Sequence, residues 1–285
     1  FYDCDLYIID LSNFKGSKVT NRMDNMFNKC NNTISINLPK LDFSYTTNIS
    51  YMFNGCSSLK KMTIVNLNYS PISNYSYMFN NCISLEIVDF SKFKITHIPN
   101  SMDYMFNNCI KLKSIDFTFL DLTYTINSNT IFVGLYNLEI LILTNLKAFN
   151  TSDFSYMFGN LINLKTISLT YFVGSQINNT MEGMLYNCTN LLSLYLPNLD
   201  FSFTTNINDI FKGCYSLTSI VLSNFTTSYI SNFSNMFYDC NLTKIDLSNF
   251  VGSKVINRMD NMFNNCKNII SIDLPNLDLT YTTNI

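Results

Sequence analysis

The sequence predicts an α/β repeat solenoid of about 26 residues per unit, with a parallel strand stack on one face and short helices on the other. Three observations carry that prediction. Cys4, Cys30, Cys56, Cys82, Cys109, Cys188, Cys214, Cys240 and Cys266 follow one another at steps of 26 or 27, with a single gap of 79. The gap is three steps long, and Leu135 and Leu161 occupy the missing places, so the column has eleven members. Met and Phe columns keep the same step. They include Met52, Met78, Met105 and Met157, and Phe27, Phe53, Phe79 and Phe106. Finally, residues 1–49 match residues 237–285 without a gap at 37 of 49 positions.

Each element of the unit has its own signal. After each Cys comes a short alternating apolar stretch, such as Met62-Thr63-Ile64 or Ile115-Asp116-Phe117, which is the pattern of a half-buried strand. Two residues before each Met stands a column that includes Asp24, Ser50, Ser76, Asp103, Ser155, Ser234 and Asp260. These are preferred helix N-cap types, so the following Met-Phe-x-x-Cys reads as one or two helical turns. Stacked units then bury the Phe column and the ladder Cys30, Cys56, Cys82, Cys109, Cys188, Cys214, Cys240 and Cys266.

Longer periods lie above the unit. Leu38 to Cys56 and Leu196 to Cys214 agree at 13 of 19 positions, and Leu-Pro-x-Leu-Asp recurs at 38–42, 196–200 and 274–278. Gly16-Ser17, Gly174-Ser175 and Gly252-Ser253 mark another unit of the same triplet. The expected organisation is one continuous solenoid over 1–285, with a nine-unit super-repeat at 1–236 and the start of the next at 237–285. No polar capping unit is visible at either end, so both ends are expected to be uncapped.

Composition narrows the function. Eighteen basic and twenty acidic residues are interspersed, which supplies neither a nucleic-acid patch nor a polybasic membrane anchor. No apolar run is long enough for a membrane-spanning helix. The single His, His97, has no nucleophile at motif spacing, and no metal or phosphate-binding motif accompanies it. An enzyme is not expected, and no cofactor is implied.

Tyr51-Met-Phe-Asn-Gly-Cys-Ser-Ser-Leu59, and Asn235-Met-Phe-Tyr-Asp-Cys240 followed by Ile245-Asp-Leu-Ser-Asn-Phe250, resemble the BspA-like leucine-rich repeats of microbial surface proteins. The resemblance covers essentially the whole chain. It implies a leucine-rich-repeat type solenoid exposed at the cell surface, linked to adhesion and without a catalytic role.

Several constellations are weighed individually. The cysteine count is odd, a spacing of 26 fits no zinc motif, and two ladder members are Leu. A buried free-thiol ladder fits better than disulfides between rungs. Asp89 with Asp116, and Asp246 with Asp273, would stack at about 5 Å, within reach of a calcium ion. Other rungs of that column carry Thr63, Ile142, Tyr195 and Val221, which favours solvated strand-face residues. Tyr51, Tyr77, Tyr104 and Tyr156 form a candidate contact stripe, with Tyr45, Tyr124, Phe203 and Tyr281 as a sparser second set. Asn74, Asn232 and Asn241 head candidate N-glycosylation sequons, although ten sequons are close to what this composition gives by chance. Thr46-Thr47, Thr204-Thr205 and Thr282-Thr283 recur too rarely for a flat ice-binding array.

Two functions remain. One is a structural extracellular protein forming a filament or surface appendage, self-associating laterally or end to end. The other is an adhesin that holds a glycan, a host surface or a protein on the solenoid face.

Overall fold

The computed structural model describes residues 1–13, 21–38, 41–64, 71–90, 101–118, 120–123, 125, 128–169, 178–196, 201–222, 228–247, 254–273 and 279–284. His97, Tyr124, the three Gly-Ser turns and most of the Leu-Pro-x-Leu-Asp segments lie outside these residues. The chain winds into a solenoid whose successive coils are joined in parallel. Its main ladder is built from three-residue strands one unit apart, for example Ile8–Asp10 on Ser35–Asn37 and Lys61–Thr63 on Ile87–Asp89. Ser114–Asp116, Ile140–Ile142 and Thr166–Ser168 form a continuous run, as do Ser193–Tyr195, Ser219–Val221, Lys244–Asp246 and Ser271–Asp273.

The strands are short because of how the sequence places its large apolar residues. Leu85, Val88 and Phe90 point inward, as do Leu112, Ile115 and Phe117, and Leu138, Leu141 and Leu143. This is the L-x-x-L-x-L spacing of a leucine-rich repeat. Only the second inward residue and the residue on either side of it are extended enough to pair. The middle residue of each strand is buried, from Ile9 through Ile245, and flanking residues such as Lys61, Thr63, Ile87 and Ile140 face outward. A second parallel ladder runs along another side of the coil. It includes Thr204–Asn206 on Asn179–Thr180, Thr282–Asn284 on Asn257–Arg258, and single bridges such as Asn48↔Asn74↔Ser101.

The expected short helices are not there. Among the described residues no segment is helical, and Met-Phe-x-x-Cys is a run of consecutive turns. The backbone N–H groups of this run divide into two sets. Those of Asn28 and Cys30 bond back three residues within the coil, to Asn25 and Phe27. Those of Asn25, Phe27 and Lys29 bond to Ser50, Met52 and Asn54 of the next coil, at 3.0, 2.8 and 2.7 Å. The same division recurs at Tyr77, Phe79 and Asn81, and at Asn235, Phe237 and Asp239. A short helix would use its N–H groups internally and leave its first four unpaired. The turn run instead sends alternate groups to the neighbouring coil, so backbone ladders run on three sides of the solenoid, with the strand ladder lapsing between Ser35–Asn37 and Lys61–Thr63, between Ile87–Asp89 and Ser114–Asp116, and between Thr166–Ser168 and Ser193–Tyr195.

This path uses two left-handed residues in most units, one before the Met and one before the Cys, and only the second at the coil where Thr130 precedes Ile131. The second site is Asp3, Gly55, Asn81, Asn108, Gly134, Asn160, Asn187, Gly213, Asp239 or Asn265 in ten described coils, with Lys29 the exception. These are the residue types that tolerate positive φ. Within the spiral, Phe27, Phe53, Phe79 and Phe106 are buried. Their rings stack at centroid distances of 5.5, 5.3 and 5.7 Å, nearly parallel. Each buried Phe contributes on the order of 2–3 kcal/mol from area alone, and the stack repeats that gain in every coil.

Candidate functional surfaces and family

The cysteine column is a hydrogen-bonded ladder of thiols. Cys56 Sγ donates to the Phe27 carbonyl at 3.1 Å, Cys82 to Phe53 at 3.1 Å and Cys109 to Phe79 at 3.1 Å. Cys188, Cys214, Cys240 and Cys266 do the same to Phe158, Leu185, Phe211 and Phe237. All nine cysteines are free, and Cys30 through Cys240 are buried. Burial pushes the thiols of Cys56, Cys109 and Cys188 up from 9.0 to about 12. A thiol held protonated is a poor nucleophile and a poor metal ligand. This column packs and bonds.

With no helix present, Asp24, Ser50, Ser76, Asp103, Ser155, Ser234 and Asp260 are not N-caps. The capping-like bond is shifted two residues upstream. The Oδ1 atoms of Asn48, Asn74, Asp153 and Asn232 accept the backbone N–H groups of Ser50, Ser76, Ser155 and Ser234 at 2.8–3.0 Å. These are Asx turns, which Asn and Asp form readily before a turn. In the two coils with Arg there instead, Arg22 and Arg258 pair with Asp24 and Asp260. The carboxyl of Asp260 is lowered mainly by its hydrogen bond from Arg258.

Two of the sequon asparagines therefore have a structural task. Asn74 and Asn232 sit in the second ladder with their side-chain oxygens in Asx turns. Asn241 is half-buried and accepts a bond from Asn268 Nδ2. The threonine pairs are likewise tied internally. Thr204 Oγ1 donates to Asn179 Oδ1 at 2.9 Å and Thr205 Oγ1 to the Asn179 carbonyl at 3.1 Å, and Thr282 and Thr283 repeat this on Asn257. On the strand face, the Asp116 carboxylate accepts both the backbone N–H and the hydroxyl of Thr118. Asp246 and Asp273 stand in register on neighbouring strands.

The tyrosine stripe spends its ring faces on itself. Tyr51 and Tyr77 stack at 4.7 Å and Tyr77 and Tyr104 at 5.2 Å. All three have positive φ, between 53° and 58°, which costs a non-glycine residue roughly 1 kcal/mol. Stacking of this kind returns about 0.5–1.5 kcal/mol per pair. Tyr156 differs. Its ring lies over Gly183 of the next coil, and its hydroxyl bonds Glu182 at 3.1 Å. Burial, and then that bond, push its phenol up to about 12.

Gly183 itself has φ +55°, and a Cβ there would enter the Tyr156 ring. Gly183→Ala is expected to cost about 1–3 kcal/mol in urea denaturation. In a Tyr156→Ala background the cost should fall to roughly 1 kcal/mol, the backbone part alone. An equal cost in both backgrounds would rule out ring contact as the reason for the glycine.

Clefts open on the outside among the described residues. One, of about 550 Å³, lies on the strand face between Ile8, Asp10, Asn37, Lys61 and Thr63. Another, of about 370 Å³, lies between Glu86, Ile110, Lys113 and Glu139. Beside it, Lys113 and Lys165 flank Glu139 at 3.5 and 2.6 Å. The hydrogen bond from Lys165 lowers the Glu139 carboxyl. The residues around this cleft were not singled out from the sequence. The signal was present as a charge alternation at the repeat step, from Lys60 to Lys165. No group of His, Cys, Asp or Glu among the described residues is arranged to hold a metal ion. No helix among them is long and apolar enough to cross a membrane.

Comparison with known proteins follows the repeat. The family model described as Mycoplasma protein of unknown function, DUF285, matches residues 1–118 and 152–274. The model of the BspA type leucine rich repeat region matches residues 75–209. Among curated proteins no sequence matches. A leucine-rich repeat protein from Bacteroides ovatus aligns at 19% identity and TM-score 0.46, over 99% of this chain and 67% of its own. The receptor in a TLR13–ssRNA13 complex aligns at 17% and 0.44, over 95% of this chain and 38% of its own. A leucine rich cell surface protein from Faecalibacterium prausnitzii aligns at 15% and 0.27, over 94% and 83%. With most of its length matched by the first family model and its central coils by the second, the chain belongs to the DUF285 family and is built from BspA-type leucine-rich repeats.

Proposed function

We propose that this chain is a segment of a structural repeat protein displayed outside the cell, where its solenoid forms a filament or surface appendage. The observation that supports this reading is the recurrent join between coils. Strand ladder, second ladder and turn run recur in the same columns along the chain, largely through main-chain bonds, although the strand ladder breaks at three junctions and the turn-run bonds lapse near Phe106 and Phe132. Such a join does not depend on particular side chains, so it extends to any number of coils. The 37 of 49 identities between residues 1–49 and 237–285 add a building period of nine units. Membership of a repeat family, and the cell-surface description of one aligned protein, agree with a scaffold at the surface rather than an enzyme.

The test is the mass of the denatured chain from native material, with and without reductant, together with electron microscopy of the undenatured protein. Fibres whose chain mass is unchanged by reductant are expected. A compact monomer with distinct capping coils would overturn the proposal. The strand-face cleft beside Lys61 favours a second reading, an adhesin that binds a glycan or protein there. A ligand that binds tightly at one coil, in material that forms no fibres, would select it.

A further inference from the structure

Four consecutive central coils carry two parallel rows side by side, one apolar and one charged. One row is apolar: Ile83, Ile110, Tyr136 and Ile162 occupy the position after the ladder Cys or Leu, and each is 36–49% exposed. Elsewhere that position is largely polar, as at Asn31, Ser57, Thr189 and Asn241. Three residues further along each coil runs a charged row that alternates in sign: Glu86, Lys113, Glu139 and Lys165, with Lys60 continuing it one coil earlier, where the apolar row has given way to Ser57. Backbone bonds hold the rows in register, from Glu139 to Lys113 at 2.8 Å and from Lys165 to Glu139 at 2.9 Å. Asn137 and Asn163 side chains fasten the apolar row to the Ile110 and Tyr136 carbonyls at 2.6 and 2.8 Å.

The pattern is complementary to itself in one orientation. Two identical surfaces can meet about a two-fold axis lying in the contact plane. If that axis runs along the solenoid, each rung faces its own copy, and every charge meets a like charge. If it runs across the solenoid between the Ile110 and Tyr136 rungs, the rows meet antiparallel. Glu86 then faces Lys165 and Lys113 faces Glu139. On the apolar side Ile83 meets Ile162 and Ile110 meets Tyr136. Both rows are matched over the same four rungs by the same axis. The cleft of about 370 Å³ beside Ile110 lies where Tyr136 of the second copy would dock.

We infer that this patch is a lateral contact between two antiparallel copies of this chain. It deepens the filament reading, because it names the partner that would join solenoids side by side. Four rungs span only about 14 Å between the first and last. The patch is thus at the small end of specific interfaces, and a reversible dimer with a dissociation constant in the micromolar range is expected.

The experiment is sedimentation velocity of the 285-residue chain from about 1 to about 200 µM in low salt. The unmodified chain should pass from monomer to dimer. Lys113→Glu or Glu139→Lys alone places like charges together twice, by symmetry, and should weaken the dimer by about 100-fold or more. Mixing the two variants should restore it. One copy then carries acids at both positions and the other bases at both, so every pair across the axis is opposite again. Circular dichroism and melting temperature of each variant, unchanged, show that the fold is intact. A chain that stays monomeric throughout, or single variants that dimerise normally, would overturn the inference. So would a mixture of folded variants that stays apart. Fibres that persist unchanged in Lys113→Glu would defeat this contact and leave the filament reading standing. A dimer without fibres would do the reverse.

Discussion

Above pH 9 the protein is expected to unfold in a narrow window. In the folded chain, burial holds the thiols of Cys56, Cys109 and Cys188 protonated up to about 12, against 9.0 when exposed. Between those values the unfolded chain has released protons that the folded chain retains. Stability therefore falls as pH rises, by about 1.4 kcal/mol per pH unit for each such thiol. Three thiols remove roughly 4 kcal/mol per unit, against a total of about 5–15 kcal/mol for a typical domain. Below pH 9 the thiols contribute no slope. Circular dichroism against pH should show the loss, and Cys109→Leu, which copies the residue at Leu135 and Leu161, should make it shallower. At pH 8 the buried thiols should resist alkylation in the native protein, and all nine should react in denaturant. Almost no reactive thiol in denaturant would mean disulfides, and the alkaline argument would fall with the free-thiol ladder.

Phe79→Ala should be among the most damaging single substitutions in the core. Phe79 is fully buried, stacked between Phe53 and Phe106, and meets the edge of Phe90 at 6.5 Å. Removing a buried Phe side chain costs about 3–5 kcal/mol in lost transfer energy and cavity. Collapse is restricted here, because the backbone on either side is fixed to both neighbouring coils. Phe79 N–H donates to Met105, and the Phe79 carbonyl accepts the Cys82 N–H and the Cys109 thiol. In a solenoid each coil contacts only its neighbours, so a weak interface can divide the cooperative unit. Urea denaturation should then show two transitions instead of one, and hydrogen exchange should accelerate first between residues 53 and 106. A single transition shifted by less than about 1 kcal/mol would mean that the column is far more adaptable than close packing implies.

Much of the molecule was legible before its structure. The 26-residue step, the strand after each Cys and the buried Met, Phe and Cys columns all follow from where large apolar residues recur. Burial depends on that recurrence directly. The error lay in one segment. Met-Phe-x-x-Cys places apolar residues at spacings that suit a short helix, and Ser50 or Asp103 before it looks like an N-cap. The contrary signal was the left-handed site before the Cys, occupied by Gly55, Asn81 or Asn187 and their equivalents. The other left-handed site carries no such signal, because Tyr51, Tyr77 and Tyr104, residues that rarely adopt positive φ, hold it.

The candidate contact patch was hidden for a related reason. Glu86, Lys113, Glu139 and Lys165 are far apart in sequence, and their alternation has meaning only once the rungs are in register. The sequence by itself determined the unit, its repeat and the residues that face inward, since these depend on apolar periodicity within each coil. The tertiary structure alone decided the backbone path of the turn run and which surface rows lie side by side. A segment this short cannot repay helix nucleation in isolation. Its conformation is chosen by the hydrogen bonds that alternate residues make to the next coil.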